Sequence, residues 1–447
     1  MADNKPLFAF YGDDFTGSTD ALEWLCREGL KSVLFLEPPT SEQLKLHEGL
    51  QAFGVAGATR AMTPEAMQSA LEPALRQIKE TGVRYVHYKV CSTFDSSPLI
   101  GSIGKAIDVG VKIFGNRFTP IIQSAPVLGR YLFFGNLFAR MGIGSNGEVF
   151  RLDRHPSMKH HPTTPADESD LRLHLGKQTK KQIGLVTIVD VIKSEDEIKK
   201  SIDRNVSAGA AIIFFDALEN QHLEMIAAVL SDEAAHSQPL FLVGSSGVEI
   251  AFAAHFQQQL GLQEPVWQKL SKAELLLVVC GSCSPVTTKQ IHHALQNGFK
   301  EVVIDVSKLV GEDAWQEMEE VFQKSLAILN NKVDLIIHSN GAERINTSEN
   351  TAETLGRALG EIAKRLIGQT LLKRLVVAGG DTSSYAARAL GIDAVEMIAP
   401  LAPGAPLCKA IASDKAVNGI EICFKGGQVG SEDFFLRAAA PIPTFPQ

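Results

Sequence analysis

A chain of 447 residues, 45% of them hydrophobic, can bury sizeable cores and reads as two or three domains. A net charge of −8 and a pI near 5.9 argue against a nucleic-acid partner, because phosphate neutralisation needs clustered Lys and Arg. The start, Met1 to Lys5, is no basic leader, and no run of about eighteen uncharged apolar residues occurs, so a soluble, cytoplasmic enzyme without a membrane partner is expected.

In chain order, Leu7 to Tyr11 suits a buried strand, and Ala21-Leu22, Trp24-Leu25 and Leu30 recur at helical spacing. Gly12 to Thr19 must then turn strand into helix, which places Asp13 and Asp14 at a strand's carboxyl end. In open α/β sheets ligands sit at such ends, and adjacent carboxylates can hold a cation, bind hydroxyls or accept a proton. Helix capping is the plainer role for one Asp. Gly12 to Gly17 has the spacing of a phosphate-binding loop, but Ser18 stands where its lysine belongs, so the loop suits a polyol or hydroxy acid better than ATP.

Lys31 to Leu36 reads as the second strand of a βαβ unit with a right-handed crossover. A helix around Pro64 to Glu80 leads to a strand at Val83 to Lys89. Val90 to Ser97, with Lys89 as its only cation, is a second candidate ligand loop. Pro120 to Ala125 is a strand followed by Gly129-Arg130, and Arg130 can pair with a substrate carboxylate or form a surface salt bridge. Gly142 to Gly147 is a formal G-x-G-x-x-G, but a helix-like stretch precedes it and Val149 to Leu152 follows, so it fails the dinucleotide context. His155, His160 and His161 have no standard zinc spacing and read as a polar loop over the substrate, leading to a capped helix near Asp170. Strands at Gly184 to Val189 and Ala211 to Phe215, with Asp216 at the latter's end, then alternate with helices. Phe241 to Gly247 opens the helix Val248 to Gln258. Such alternation signals a mostly parallel sheet covered by helices.

The six cysteines form no disulfide framework, and Cys280-Gly-Ser-Cys283 lacks a second half to make a zinc site. Residues 1–258 are read as a substrate-binding domain, 259–273 as a linker and 274–447 as a nucleotide-binding domain. In the last, Leu275 to Val279 runs into Gly281 to Ser284, and Leu375 to Ala378 into Gly379 to Ser384. Both small-residue loops feed helix N-termini, which favour phosphate oxygens, and Lys425 to Gly430 is a third glycine-rich segment. Tight βα turns alone would also use these glycines.

Together these motifs resemble the four-carbon acid sugar kinase family over nearly the whole chain. The resemblance rests on Asp13-Asp14-Phe15-Thr16-Gly17, Gly129-Arg130, Gly281 to Ser284, Gly379 to Thr382, Pro403-Gly404-Ala405-Pro406, and Lys425 to Gly430 before Asp433-Phe434-Phe435. It implies an α/β fold of two domains, each with a mostly parallel sheet flanked by helices, and an active site in the cleft between them. It implies ATP-dependent phosphorylation of a small acid sugar, with Mg2+ bridging the phosphates. Asp13 or Asp14 would then deprotonate the acceptor hydroxyl, with Asp381 either the rival base or the partner of Mg2+. Lys89 and Arg130 would hold the substrate carboxylate, with Thr16 and Ser92 beside them. Ser282, Ser284, Gly379, Gly380, Asp381, Thr382, Gly404, Gly426 and Gly427 would hold ATP. Where the family reads Lys-x-Asp-Ser-Thr-x-Arg-Gly, this chain has Lys89-Val-Cys91-Ser92-Thr93-Phe94-Asp95-Ser96, which suggests a branched or oxidised acid sugar such as 3-oxo-isoapionate. A non-catalytic acid-sugar sensor and an NAD-dependent dehydrogenase are the alternatives, and a homodimer is left open.

Overall fold

The computed structural model describes residues 5–141, 147–160, 164–235, 239–267, 269–282, 284–339 and 349–442. The chain divides into two compact units, residues 1–265 and 266–447. Each is an α/β unit with a mostly parallel sheet, as the alternation of strand, polar loop and helix predicts.

The strands of the first unit are β1 (Phe8–Gly12), β2 (Ser32–Phe35), β3 (Ala52–Ala56), β4 (Tyr85–Lys89), β5 (Thr119–Ile122), β6 (Arg130–Phe133), β7 (Asn136–Arg140), β8 (Val149–Arg151), β9 (Ile183–Val186), β10 (Ile212–Phe215) and β11 (Leu240–Gly244). All but β6, β7 and β8 form one parallel sheet in the order β2-β3-β1-β4-β11-β5-β10-β9. β1, β4 and β11 are buried along their whole length, the mark of a sheet covered on both faces. From β1 the chain leaves to β2 and β3 on one side, whereas β4 opens the other. Strand order therefore reverses between β1 and β4, where such sheets leave a crevice for ligands.

β1 and β2 run parallel in one sheet with the helix Phe15–Arg27 between them in sequence, and β3 inserts between them in space. The β3 run Ala-Phe-Gly-Val-Ala, three of its five residues small, carries too little β-propensity to stand out in sequence. The stretch before Gly142 is no helix but part of an antiparallel sheet β6-β7-β8. The β6–β7 turn has Phe134 at φ 47° and Gly135 at φ 78°, as a two-residue primed turn requires. Residues 142–146 lie outside the described residues, but the segment that follows is the strand β8, so the dinucleotide context is still missing.

Asp216, at the end of β10, is fully buried and accepts from the backbone N–H groups of Phe134, Gly135 and Ile188 at 2.7, 2.9 and 3.0 Å. It therefore fastens the small sheet to the large one. His155 is likewise committed, its Nδ1 accepting from the amides of Ser157 and Met158, while His161 lies outside the described residues.

The second unit has β12 (Leu276–Cys280), β13 (Lys300–Val303), β14 (Leu335–His338), β15 (Arg374–Ala378), β16 (Ile392–Ala402), β17 (Ala405–Ala412) and β18 (Glu421–Lys425). Their order is β13-β14-β12-β15-β18-β17-β16, with β17 antiparallel to both neighbours. Here the order reverses between β12 and β15. Residues 259–273, read as a linker, begin inside the helix Gly247–Leu260 and end in the second unit, where Leu270 and Ile442 exchange backbone hydrogen bonds.

Candidate active site

In the first unit, Gly12, Ala56, Lys89 and Gly244 are register partners across four neighbouring strands, so the segments after them emerge side by side at one sheet edge. β1 delivers Asp13 and Asp14, and β3 delivers Thr59 and Arg60. β4 supplies Lys89 and the loop from Cys91, and β11 supplies Ser245 and Ser246.

Asp14 is the N-cap of the helix Phe15–Arg27, accepting from the Gly17 amide at 2.8 Å and from Thr16 Oγ1 at 3.0 Å. The capping role and the site role thus fall on one side chain. Gly17 is required here, since a Cβ would meet the Asp14 carboxylate and stand 3.1 Å from Lys89 Nζ.

Neither aspartate is an open carboxylate. Arg60 Nη2 donates to Asp13 Oδ1 at 2.7 Å and to Asp14 Oδ1 at 2.9 Å, Nη1 to Asp14 Oδ2 at 2.9 Å, and Nε to Asp13 Oδ2 at 3.2 Å. Burial pushes Asp13 above the usual carboxylate range, and the Asp14 charge adds to this against Arg60. Burial also acts on Asp14, but the Arg60 and Lys89 charges and the capping bonds outweigh it and leave Asp14 low. The two carboxyls are thus driven apart, Asp13 upward and Asp14 downward.

Lys89 is 2% exposed, and its Nζ donates to the Val90 carbonyl at 3.2 Å and lies 4.0 Å from Asp20 Oδ2. Asp20 also accepts from Ser246 Oγ and from Trp24 Nε1, and burial pushes its carboxyl up. Sequence reasoning missed Arg60 and Asp20. Asp20 was legible, as it follows Thr16 by four residues on one helix face; Arg60 follows a strand that was itself missed.

Arg130 lies at the start of β6 and is 5% exposed, not on the surface. Its Nε donates to Ser92 Oγ at 3.2 Å, and Nη1 donates to the carbonyls of Leu128 and Arg140, both at 3.0 Å. No carboxylate pairs with it among the described residues, and burial lowers its pKa. Cys91, beside it, is a thiol pushed up to about 11 by burial and so stays neutral. The structure thus gathers Asp13, Asp14, Thr16, Lys89, Ser92 and Arg130 at one edge of the first unit.

In the second unit Cys280, Ala378 and Lys425 are register partners on β12, β15 and β18, and three glycine-rich loops leave from them together. Ser284 caps the helix Pro285–Gln296, and Gly379 precedes the helix Gly380–Leu390, whose first turn holds Asp381 and Thr382. A Cβ on Gly427 would lie 2.6 Å from Ser282 Oγ and 3.0 Å from Ser284 Cβ, so only glycine lets the third loop touch the first. Leu407 pairs antiparallel with Cys423, which carries the Pro403-Gly404 turn to the same edge. The N–H groups of Gly427 and Gln428 make no hydrogen bond among the described residues. With two helix N-termini, such amides form an anion cradle. Asp381 is exposed at its rim. Cys283 lies outside the described residues, and among these no three His, Cys, Asp or Glu side chains converge on a metal position.

Comparison with known proteins agrees with this division. Residues 8–252 match the family model of a sugar-binding N-terminal domain, and residues 277–435 that of a nucleotide-binding C-terminal domain. The chain is 37% identical to a 3-oxo-isoapionate kinase of Paraburkholderia graminis, over 96% of this chain and 93% of that protein. It is 28% identical to a 3-oxo-tetronate kinase of Pseudomonas fluorescens, over 98% and 97% respectively. Among solved structures, a Haemophilus influenzae protein from a domain family of unknown function superimposes with a TM-score of 0.71 at 26% identity, covering 96% of this chain and 98% of that one. A Salmonella typhimurium protein solved as a candidate tRNA synthase gives 0.77 at 25% identity, covering 97% and 98%. The chain therefore belongs to the four-carbon acid sugar kinase family.

Proposed function

We propose that this enzyme transfers the γ-phosphoryl group of ATP to a hydroxyl of a small acid sugar, of the oxidised or branched type represented by 3-oxo-tetronate and 3-oxo-isoapionate. The observation that carries the reading is the pairing of opposite chemistries at one edge of the first unit. A buried arginine without a carboxylate partner among the described residues adjoins Ser92, and Asp13, Asp14 and Asp20 stand on neighbouring segments. An acid sugar needs both, a guanidinium for its carboxylate and acceptor oxygens for its hydroxyls.

In this reading Arg130 and Ser92 take the carboxylate and Thr16 and Lys89 orient the hydroxyls. Asp14, held ionised, accepts the proton of the attacking hydroxyl, while Asp13 fixes Arg60, which fixes Asp14. Arg60 thus keeps the base in one orientation while lowering its basicity, a fair exchange when the transition state is loose and positioning dominates. In the second unit, Ser282, Ser284, Gly379, Gly380, Thr382, Gly426 and Gly427 cradle the nucleotide phosphates, and Gly404 closes the same edge. Asp381, exposed at a helix start, would be the carboxylate that holds Mg2+ beside the nucleotide, a cation that needs only one or two protein carboxylates. Such an ion would supply charge neutralisation for the transferring phosphoryl group.

The test is ADP formation by purified protein with Mg-ATP against tetronates, 3-oxo-tetronates and branched 3-oxo acid sugars. Turnover confined to one member or a few supports the reading; ATP binding with silence across the panel, or turnover of a neutral sugar as fast as of its acid, overturns it.

A further inference from the structure

Lys425 ends β18 directly beneath the glycine-rich turn, and it is fully buried. Its Nζ donates to the Gly426 carbonyl at 3.0 Å and to Thr287 Oγ1 at 3.2 Å, while Thr287 Oγ1 donates to the Gly427 carbonyl at 2.9 Å. Gln290, one helical turn on, donates to the carbonyls of Val429, Gly430 and Ser431 at 3.1, 3.1 and 2.9 Å. The loop is thus tied by its carbonyls to the helix Pro285–Gln296, while the Gly427 and Gln428 amides have no protein partner among the described residues. The Phe434 ring lies 5.7 Å from Nζ, and the titratable groups that face it are the thiols of Cys280 on β12 and Cys423 on its own strand. No carboxylate pairs with this lysine among the described residues. Among the described residues, a buried cation without a carboxylate partner thus lies under amides without protein acceptors, a place that suits an anion.

We propose that Lys425 is a positioning residue for the nucleotide: its ammonium holds the Gly426–Gly427 turn in its phosphate-binding form and takes the phosphates as its missing counter-ion, so that nucleotide affinity depends on its proton. The proposal rests on reading this edge as the nucleotide site. Burial lowers the Lys425 pKa to about 8, which sets the pH range in which the effect shows. An anion bound above it favours the charged form, so binding near pH 8 draws a proton from solution.

The experiment is calorimetric titration of the full chain with ADP from pH 7.5 to 9.5, where the phosphates of ADP stay fully ionised. It is repeated at pH 8 in two buffers of different ionisation enthalpy, and with Lys425→Met. The expected result for the unsubstituted protein is affinity falling about tenfold over this range, as for loss of a charge-assisted contact, with proton uptake at pH 8. Lys425→Met binds weakly throughout, with no pH slope and no proton uptake. ADP binding that is flat with pH and takes up no proton overturns the role of Lys425 alone, as does a folded Lys425→Met that keeps the slope. Absence of ADP binding at pH 7.5 overturns the nucleotide reading of this edge instead. Should Lys425→Met fail to fold, the pH series and buffer pair on the unsubstituted protein still decide.

Discussion

Arg60 Nη2 stands 2.7 Å from Asp13 Oδ1 and 2.9 Å from Asp14 Oδ1, so one guanidinium nitrogen bridges the two adjacent carboxylates across 46 and 47 residues of chain. The pair sits where strand order reverses, and this cation offsets the repulsion between two adjacent carboxylates. Arg60→Met is expected to lose most turnover and to lower stability. The loss should fall toward the lower end of the roughly 3–5 kcal/mol typical of breaking a buried pair, because the Arg60 side chain keeps 28% exposure. Urea unfolding and ADP release measure the two effects, and Arg60→Lys should recover little of either, since an ammonium cannot fork.

Asp14→Asn separates capping from chemistry. Asparagine caps a helix about as well as aspartate, so the helix Phe15–Arg27 should persist by circular dichroism. Turnover should fall roughly 10²- to 10⁴-fold if this carboxylate is the base. A variant with full activity would hand that role to Asp13 or Asp381.

The acid limb of stability should also report Asp14. Its folded-state pKa lies below the ordinary value of 3.8, so its contribution is fully present above about pH 4 and is lost as pH falls through the folded value. Asp13, raised by burial, works in the opposite sense and favours folding at low pH. Urea unfolding from pH 3 to 6 should show the stability gap between the unsubstituted protein and Asp14→Asn closing below about pH 4. A gap that stayed constant to pH 3 would contradict the assigned ionisation.

Arg130→Met should raise KM for the acid sugar by about tenfold or more, as expected for losing a charge-assisted contact. Nucleotide affinity should stay unchanged. Because Arg130 also holds the carbonyls of Leu128 and Arg140, the comparison needs a matched melting curve. An unchanged KM would place the carboxylate elsewhere.

Gly427→Ala tests the convergence of the loops in the second unit. Its methyl would press on Ser282 Oγ at 2.6 Å, and Ser282 would have to give up its hydrogen bond from the Ser284 amide to make room. ADP affinity should drop several-fold while acid-sugar binding is retained, both read by calorimetry.

The sequence by itself determined what is local. The abrupt change from Phe8–Tyr11 to Asp13-Asp14, the polar loop after Lys89 and the glycine turns at 281, 379 and 426 fixed where strands end and helices begin, because each depends on residues a few positions apart. The tertiary structure decided which ends meet. β3, with weak local signal, inserts beside β1 only through backbone pairing across more than forty residues, and so brings Arg60 to the aspartates. The register of β12, β15 and β18 likewise turns three separate glycine turns into one cradle over Lys425. Hydrogen-bond register between distant strands is set by packing the whole sheet, and no window of sequence carries it.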